Sequence, residues 1–333
     1  MSDQIYQAPT TDDRRMWDLW LSGLHQPSIV AAEEAGIFSA LADAPATAPD
    51  LAARLGFDER ATRILVRLLA ALRLLLVRDG RYHLSDDARV YLVKGSPWYW
   101  APMASVAVSE WHRARLLEKL RQRNSDQAVG PEGTPLVSSE GRAADDWAAG
   151  TVSLQRAREV AARMHAHSLP AAVGVARHYD FGGVHRVLDV GGGSGCFMAA
   201  AAQAHPHLRC TVMELPAMCE VAGAYLEAAG VAGRVDACAV DMFRQPWPAG
   251  YDAHFFSNVW HDWNVRTCRW LAARAFDALP SGGRILLHEM LLATQGQQFT
   301  AGEVTEILAG AGFGRIGVTA THPYYSVVTG YKP

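Results

Sequence analysis

The stretch Val187-Leu188-Asp189-Val190-Gly191-Gly192-Gly193-Ser194-Gly195 decides the fold. A short apolar run, predicted as a buried strand, ends in a loop with almost no side chains, and a helix is predicted from about Cys196 onward. Strand, glycine loop and helix in that order bring unpaired N–H groups and the positive end of a helix dipole to one place, where ligand and backbone can touch. The glycines at 191, 193 and 195 alternate, but the third glycine of a dinucleotide fingerprint would fall on Cys196. That substitution argues against a nicotinamide dinucleotide.

Working outward, Cys210-Thr211-Val212-Met213-Glu214-Leu215-Pro216 reads as a second strand whose acid, Glu214, lies 19 residues past Gly195. An acid at that offset accepts from both hydroxyls of a ribose. Val240-Asp241-Met242-Phe243 closes a third strand, where the Asp241 carboxylate suits an adenine amino group and Met242 or Phe243 suits its face. An adenosine with an anionic tail and no pyrophosphate fits this set, which points to S-adenosylmethionine, with S-adenosylhomocysteine as product. The candidate cofactor residues are Asp189, Gly191, Gly193, Glu214, Leu215, Asp241, Met242, Phe243 and Ser257. Strand candidates at 186–190, 209–214, 235–240, 253–259 and 284–289 alternate with helices, which implies an α/β, Rossmann-like, mostly parallel sheet. Residues 315–321 and 324–331, around His322-Pro323, read as an antiparallel pair, for seven strands in all.

The amino-terminal third has another rhythm. Trp17, Trp20, Leu21, Leu24, Ile29, Val30 and Ile37 recur at helical spacing, with Gly36 as a break. A short helix follows over Leu51 to Leu55, Gly56 turns the chain, and Asp58 caps a longer helix through Leu72. Leu75 to Leu84, with Asp79-Gly80 between, reads as a hairpin, completing a winged-helix pattern. Such modules often bind DNA, yet residues 1–105 carry 11 Lys+Arg against 13 Asp+Glu, without the basic excess of a DNA reader. Dimerisation through apolar helix faces is the expected use. The expected domains are 1–105 (winged-helix-like), 106–178 (a helical connector lining the substrate pocket, with a loop at 130–135) and 179–333 (cofactor-binding and catalytic).

With 333 residues, half of them hydrophobic, and a net charge of −3, the chain supports a large core and gives no reason to expect a nucleic-acid or membrane partner. No apolar run reaches membrane-spanning length. Five cysteines without C-x-x-C spacing imply reduced thiols, a cytoplasmic location and no metal site.

The fourth strand ends in Ser257-Asn258-Val259-Trp260-His261-Asp262-Trp263, which puts an imidazole at the carboxyl edge of the sheet, where open α/β folds bind ligands. A neutral histidine, with an ordinary pKa near ~6.5, accepts a proton from a hydroxyl attacking a methyl sulfonium, a contribution of roughly 10²–10⁴-fold. Glu289, ending the fifth strand, is expected to orient that ring, and Asp262 to cap the helix that follows. His261 and Glu289 are the candidate catalytic residues.

These motifs, DVGGGSG, the acid in MELP, DMF and HDW, resemble those of class I S-adenosylmethionine-dependent O-methyltransferases of the plant caffeate and bacterial polyketide type. The resemblance spans nearly the whole chain from Trp17. It implies that His261 is the base and Glu289 its orienting acid. It also implies that a winged-helix domain makes a homodimer, its first helix helping to wall the partner's pocket. By the same resemblance, Met164, His167 and Met290 face the substrate; Trp260, Asp262 and Met103 are further substrate candidates, Met103 forming an aromatic wall with Trp98 and Trp100. Two departures stand out. The family has a longer connection before a helix resembling Met290-Leu291-Leu292-Ala293-Thr294, so a missing loop is expected between Glu289 and Met290. The family's second orienting acid falls on Gln298, which opens methylation of carbon or nitrogen as an alternative. The expected activity is methyl transfer to a hydroxyl of an aromatic small molecule in bacterial natural-product biosynthesis. The rivals are C- or N-methylation and a cofactor-retaining relative that transfers no methyl.

Overall fold

The computed structural model describes residues 10–100, 110–121, 147–291, 299–322 and 324–333. Met103, the 130–135 stretch and Gln298 lie outside the described residues. The chain divides into two compact units, one over 14–121 and the other over 10–13, 147–291 and the described residues from 299 onward.

In the first unit, α1 (Arg14–Glu34) and α2 (Ile37–Asp43) are parted at Gly36. Helix α3 (Ala48–Leu55) opens where Thr47 Oγ1 accepts from the Asp50 amide, and α4 (Glu59–Ala71) opens where Asp58 accepts from the Ala61 amide. Strands β1 (Leu75–Arg78) and β2 (Arg81–Leu84) pair antiparallel, and Asp79 and Gly80 between them have φ of 50° and 71°, the requirement of a tight two-residue hairpin turn. Ser85 caps α5 (Asp86–Tyr91). Ile37, Phe38, Leu41, Leu51, Leu69 and Leu75 share a core with Leu117 and Leu120 of α6 (Glu110–Arg121). Each such side chain stabilises the unit by roughly 1.5–3 kcal/mol when fully buried.

The second unit begins with α7 (Leu154–His178), capped by Ser153. The stretch expected as a connector therefore contributes α6 to one unit and α7 to the other. Next come β3 (Arg186–Val190), α8 (Cys196–Ala204), β4 (Arg209–Glu214), α9 (Pro216–Ala228), β5 (Val235–Ala239) and β6 (Ala253–Ser257). A 3₁₀ turn (Trp260–Asp262) leads to α10 (Val265–Ala278), β7 (Arg284–Met290), α11 (Ala301–Gly310), β8 (Gly314–His322) and β9 (Tyr325–Tyr331). The sheet runs β5-β4-β3-β6-β7-β9-β8, parallel through β7 and antiparallel at β9 and β8. The order reverses between β3 and β6, so a crevice opens at their carboxyl ends, the place where such sheets take ligands.

Three expectations are corrected. Strand β7 continues through Met290, with Glu289 opposite Ser326 and Met290 opposite Tyr325 in an unbroken ladder with β9. No loop interrupts Glu289 and Met290, and no helix begins at Met290. Strand β6 stops at Ser257 because Asn258 takes φ 55° and turns the chain off the ladder. Asn264, not Asp262, caps α10, its Oδ1 accepting from the Thr267 amide at 2.8 Å.

Candidate active site

The glycine loop is shaped by backbone torsion. Gly191, Gly193 and Gly195 all have φ between 57° and 75°, a region that disfavours side chains. At Gly193 an added Cβ would meet nothing within 4 Å, so the loop faces open space there. Beneath it lies Asp189, 1 % exposed, with neither carboxylate oxygen hydrogen-bonded among the described residues. Burial, reinforced by the nearby Glu214, raises the Asp189 carboxyl well above the usual range. Burial also raises Glu214, against the amides of Leu215 and Gly193 and the Trp147 indole, which favour its charged form.

A narrow cleft is lined by Trp147, Gly191, Met213, Glu214, Leu215, Val240, Asp241, Met242 and Phe243. Five candidates from the second and third strand ends thus meet around Gly191. Two polar groups in the cleft are already engaged. Glu214 Oε2 accepts from the Leu215 amide at 2.8 Å and from Trp147 Nε1 at 3.2 Å. Asp241 Oδ1 accepts from the Phe243 amide at 2.9 Å, and its Oδ2 pairs with Arg244 Nη1 at 2.6 Å. Trp147 was not foreseen, since a tryptophan in a helix-forming stretch carries no local sign of a ligand. Ser257 lies outside the lining and bonds His288 Nδ1 at 2.8 Å.

At the end of β6 the 3₁₀ turn carries His261. Its Nδ1 is 2.9 Å from Glu289 Oε2, while Glu289 Oε1 accepts from the amides of Val259 and Trp260 at 3.0 and 2.9 Å. On the other side of the ring, Nε2 is 3.5 Å from Asp262 Oδ1. With Nδ1–H given to the carboxylate, Nε2 keeps its lone pair. Burial, helped by the nearby charge of His261, brings His167, on α7, down to about 4. Its Nε2 lies 3.4 Å from the Tyr325 hydroxyl.

The remaining candidates scatter. Trp260 is fully buried, edge-on to Phe256 and Phe299, and belongs to the core. An apolar residue at the start of a 3₁₀ turn packs inward while its neighbour His261 reaches the edge. Met290 is buried in β7, and Met164 stands exposed on α7. Among the described residues no cluster of three metal-ligating side chains occurs, and no helix is long and apolar enough to cross a membrane. None of the five cysteines is in a disulfide among the described residues.

A doubly wound sheet with a glycine cradle and buried acids at its switch point defines a nucleoside-binding α/β enzyme. A family model described as the O-methyltransferase domain matches residues 132–315, and one for the O-methyltransferase dimerisation domain matches residues 19–94. The chain belongs to the S-adenosylmethionine-dependent O-methyltransferase family. It is 36% identical over 310 residues to 3-hydroxy-5-methyl-1-naphthoate 3-O-methyltransferase of Streptomyces sahachiroi, covering 86% of this chain and 85% of that one. It is 30% identical over 289 residues to the N,N-dimethyltransferase OxyT of Streptomyces rimosus, covering 85% and 80%. Its fold matches that of an O-methyltransferase family 2 protein from Planctomyces limnophilus, solved in complex with apigenin, with a TM-score of 0.82, 26% identity and 98% of each chain covered.

Proposed function

We propose that this chain methylates a hydroxyl of an aromatic small molecule, with His261 as general base and Glu289 fixing its tautomer. The observation that carries this reading is the double use of Glu289. One oxygen holds His261 Nδ1 and the other holds two amides of the same turn, so the ring and the backbone that bears it share one buried anchor. Nε2 is then the proton acceptor, and Asp262, on that side of the ring, favours the imidazolium once the proton has arrived.

When bound, S-adenosylmethionine supplies a methyl carbon activated by a positive sulfur. The residues present fit it. Buried Asp189 has no hydrogen-bond donor among the described residues, and beside Glu214 its carboxyl is held neutral until a cation nearby favours the charged form. The glycine loop and the start of α8 suit the carboxylate tail, Glu214 the ribose, and Met242 and Phe243 the base. Asp241 serves through the turn it holds with Phe243 and Arg244 as much as through a free oxygen. His167, Asp262 and Met164 are the proposed acceptor-side contacts.

The naphthoate acceptor named for the Streptomyces sahachiroi relative makes a phenolic acid the first acceptor to try, within bacterial natural-product biosynthesis. The dimerisation-domain match supports a homodimer through the first unit, and the reduced thiols fit a cytoplasmic setting. The similarity to an N,N-dimethyltransferase favours an amine acceptor as the second reading. Methyl-labelled S-adenosylmethionine, offered with hydroxynaphthoates, phenols and aromatic amines, separates the two when the product is read by NMR. Label found only on nitrogen or carbon overturns the hydroxyl reading.

A further inference from the structure

We infer that Tyr325 is a positioning residue for the transfer: through its hydrogen bond to Asn258 it sets the turn that aims His261. This rests on His261 being the base. Asn258 has φ 55°, a conformation asparagine tolerates better than most side chains. Its amide still donates to the His288 carbonyl at 3.2 Å, across from β7. The next two amides, of Val259 and Trp260, point instead to Glu289 Oε1. Asn258 is therefore the residue at which the chain leaves the sheet and turns to the carboxylate that holds the imidazole.

The Asn258 side chain is itself held. Its Oδ1 accepts from the Tyr325 hydroxyl at 3.1 Å, and its Nδ2 donates to Ser257 Oγ at 3.4 Å. Tyr325 comes from β9, opposite Met290, and its ring stacks on His288 with centroids 4.8 Å apart and planes 10° from parallel. His288 Nδ1 in turn meets Ser257 Oγ at 2.8 Å. Tyr325, Asn258, Ser257 and His288 thus close a ring of contacts across three strands, just before the turn. At 2 % exposure Tyr325 is buried, and its hydroxyl serves Asn258 and His167. Without that donor, Asn258 Oδ1 has one partner fewer and the 258–261 segment is free to rotate away from Glu289.

The test compares Tyr325→Phe, Asn258→Gly and the double variant, with His261→Ala in parallel, by steady-state kinetics, cofactor-binding calorimetry and thermal melting. Tyr325→Phe is expected to lower kcat about tenfold to a hundredfold, the scale of an approximately 1 Å misplacement. The acceptor KM and the cofactor Kd should be unchanged. Asn258→Gly keeps the positive φ but lacks the acceptor oxygen, so it should show the same loss, and the double variant no more than that. Independent losses in the double variant, or an effect carried by KM, overturn the inference and make Tyr325 an acceptor contact. Should Tyr325→Phe fail to fold, Asn258→Ala is compared with Asn258→Gly. The alanine opposes the positive φ and should lose more kcat, and equal losses overturn the inference. A fully active His261→Ala enzyme removes the base instead, whereas an inactive one beside a fully active Tyr325→Phe removes only the role of Tyr325.

Discussion

His261 Nδ1 and Glu289 Oε2 stand 2.9 Å apart at the ends of neighbouring strands, and the second oxygen of the same carboxylate closes the loop that carries the histidine. A buried carboxylate with three donors is a satisfied charge, so it can hold a ring without collapsing onto another cation.

Glu289→Gln tests that arrangement with little change of shape. If the amide oxygen keeps the Val259 and Trp260 bonds, the amide nitrogen faces Nδ1 and drives the imidazole proton to Nε2, where a base is needed. We expect kcat to fall about 10²-fold or more, with cofactor affinity unchanged in calorimetry. A loss under about tenfold would falsify a tautomer-setting role.

Asp189 is a buried acid with no hydrogen bond among the described residues, and burial raises its carboxyl well above the usual range, so ionising it costs the free protein stability that a bound cation restores. Asp189→Asn is therefore expected to raise the melting temperature of the free enzyme at pH 8 and to weaken S-adenosylmethionine by tenfold or so. S-adenosylhomocysteine, whose sulfur is neutral, should lose less. Equal weakening of both ligands would show that the acid does not sense the sulfonium.

Stability should fall on the acid side. Burial takes His254 and His288 down to about 3 and His167 to about 4. Each folded value lies below the unfolded one near ~6.5, so the unfolded chain binds more protons in between. The stability tied to these neutral rings is complete above ~6.5 and is lost as pH falls toward 4 and then 3, by on the order of 1.4 kcal/mol per ring per pH unit. Urea unfolding from pH 7 to pH 4 measures the slope. His254→Phe, a change at a ring packed against Trp247, should flatten it by one proton, and an unaltered slope would assign the loss elsewhere.

Two glycine substitutions should separate ligand space from packing. Gly193→Ala strains a φ of 57° but touches nothing, so melting should drop modestly while cofactor binding weakens at least about tenfold. Gly195→Ala drives a Cβ to 3.0 Å from Leu226 and 3.1 Å from Val212, so its larger effect should appear in melting.

Much of this was legible locally. The Gly191–Gly195 spacing, the acid of Glu214 and the Asp79-Gly80 turn each act through torsion or through neighbours a few residues away, and each lies where its pattern placed it. The direct junction of Glu289 and Met290 departs from the longer connection and helix that the family resemblance implies. Pairing with Ser326 and Tyr325, more than thirty residues on, keeps it extended. Trp260, expected toward substrate, packs instead on Phe256, while the next residue, His261, meets Glu289.

The chain's own order of residues determined the strand–glycine–helix unit, the alternation that builds a parallel sheet, and the types of side chain delivered to its edge, since periodicity and turn chemistry are short-range. Only the tertiary structure decided which of those side chains meet. Trp147 reaches Glu214, Arg244 takes up Asp241, and Tyr325 reaches Asn258 across separations of 67, 3 and 67 residues. Even the shortest of these depends on an arginine rotamer that also reaches the Ala148 carbonyl. Such contacts depend on how distant elements pack, and that packing is written in no single stretch of the sequence.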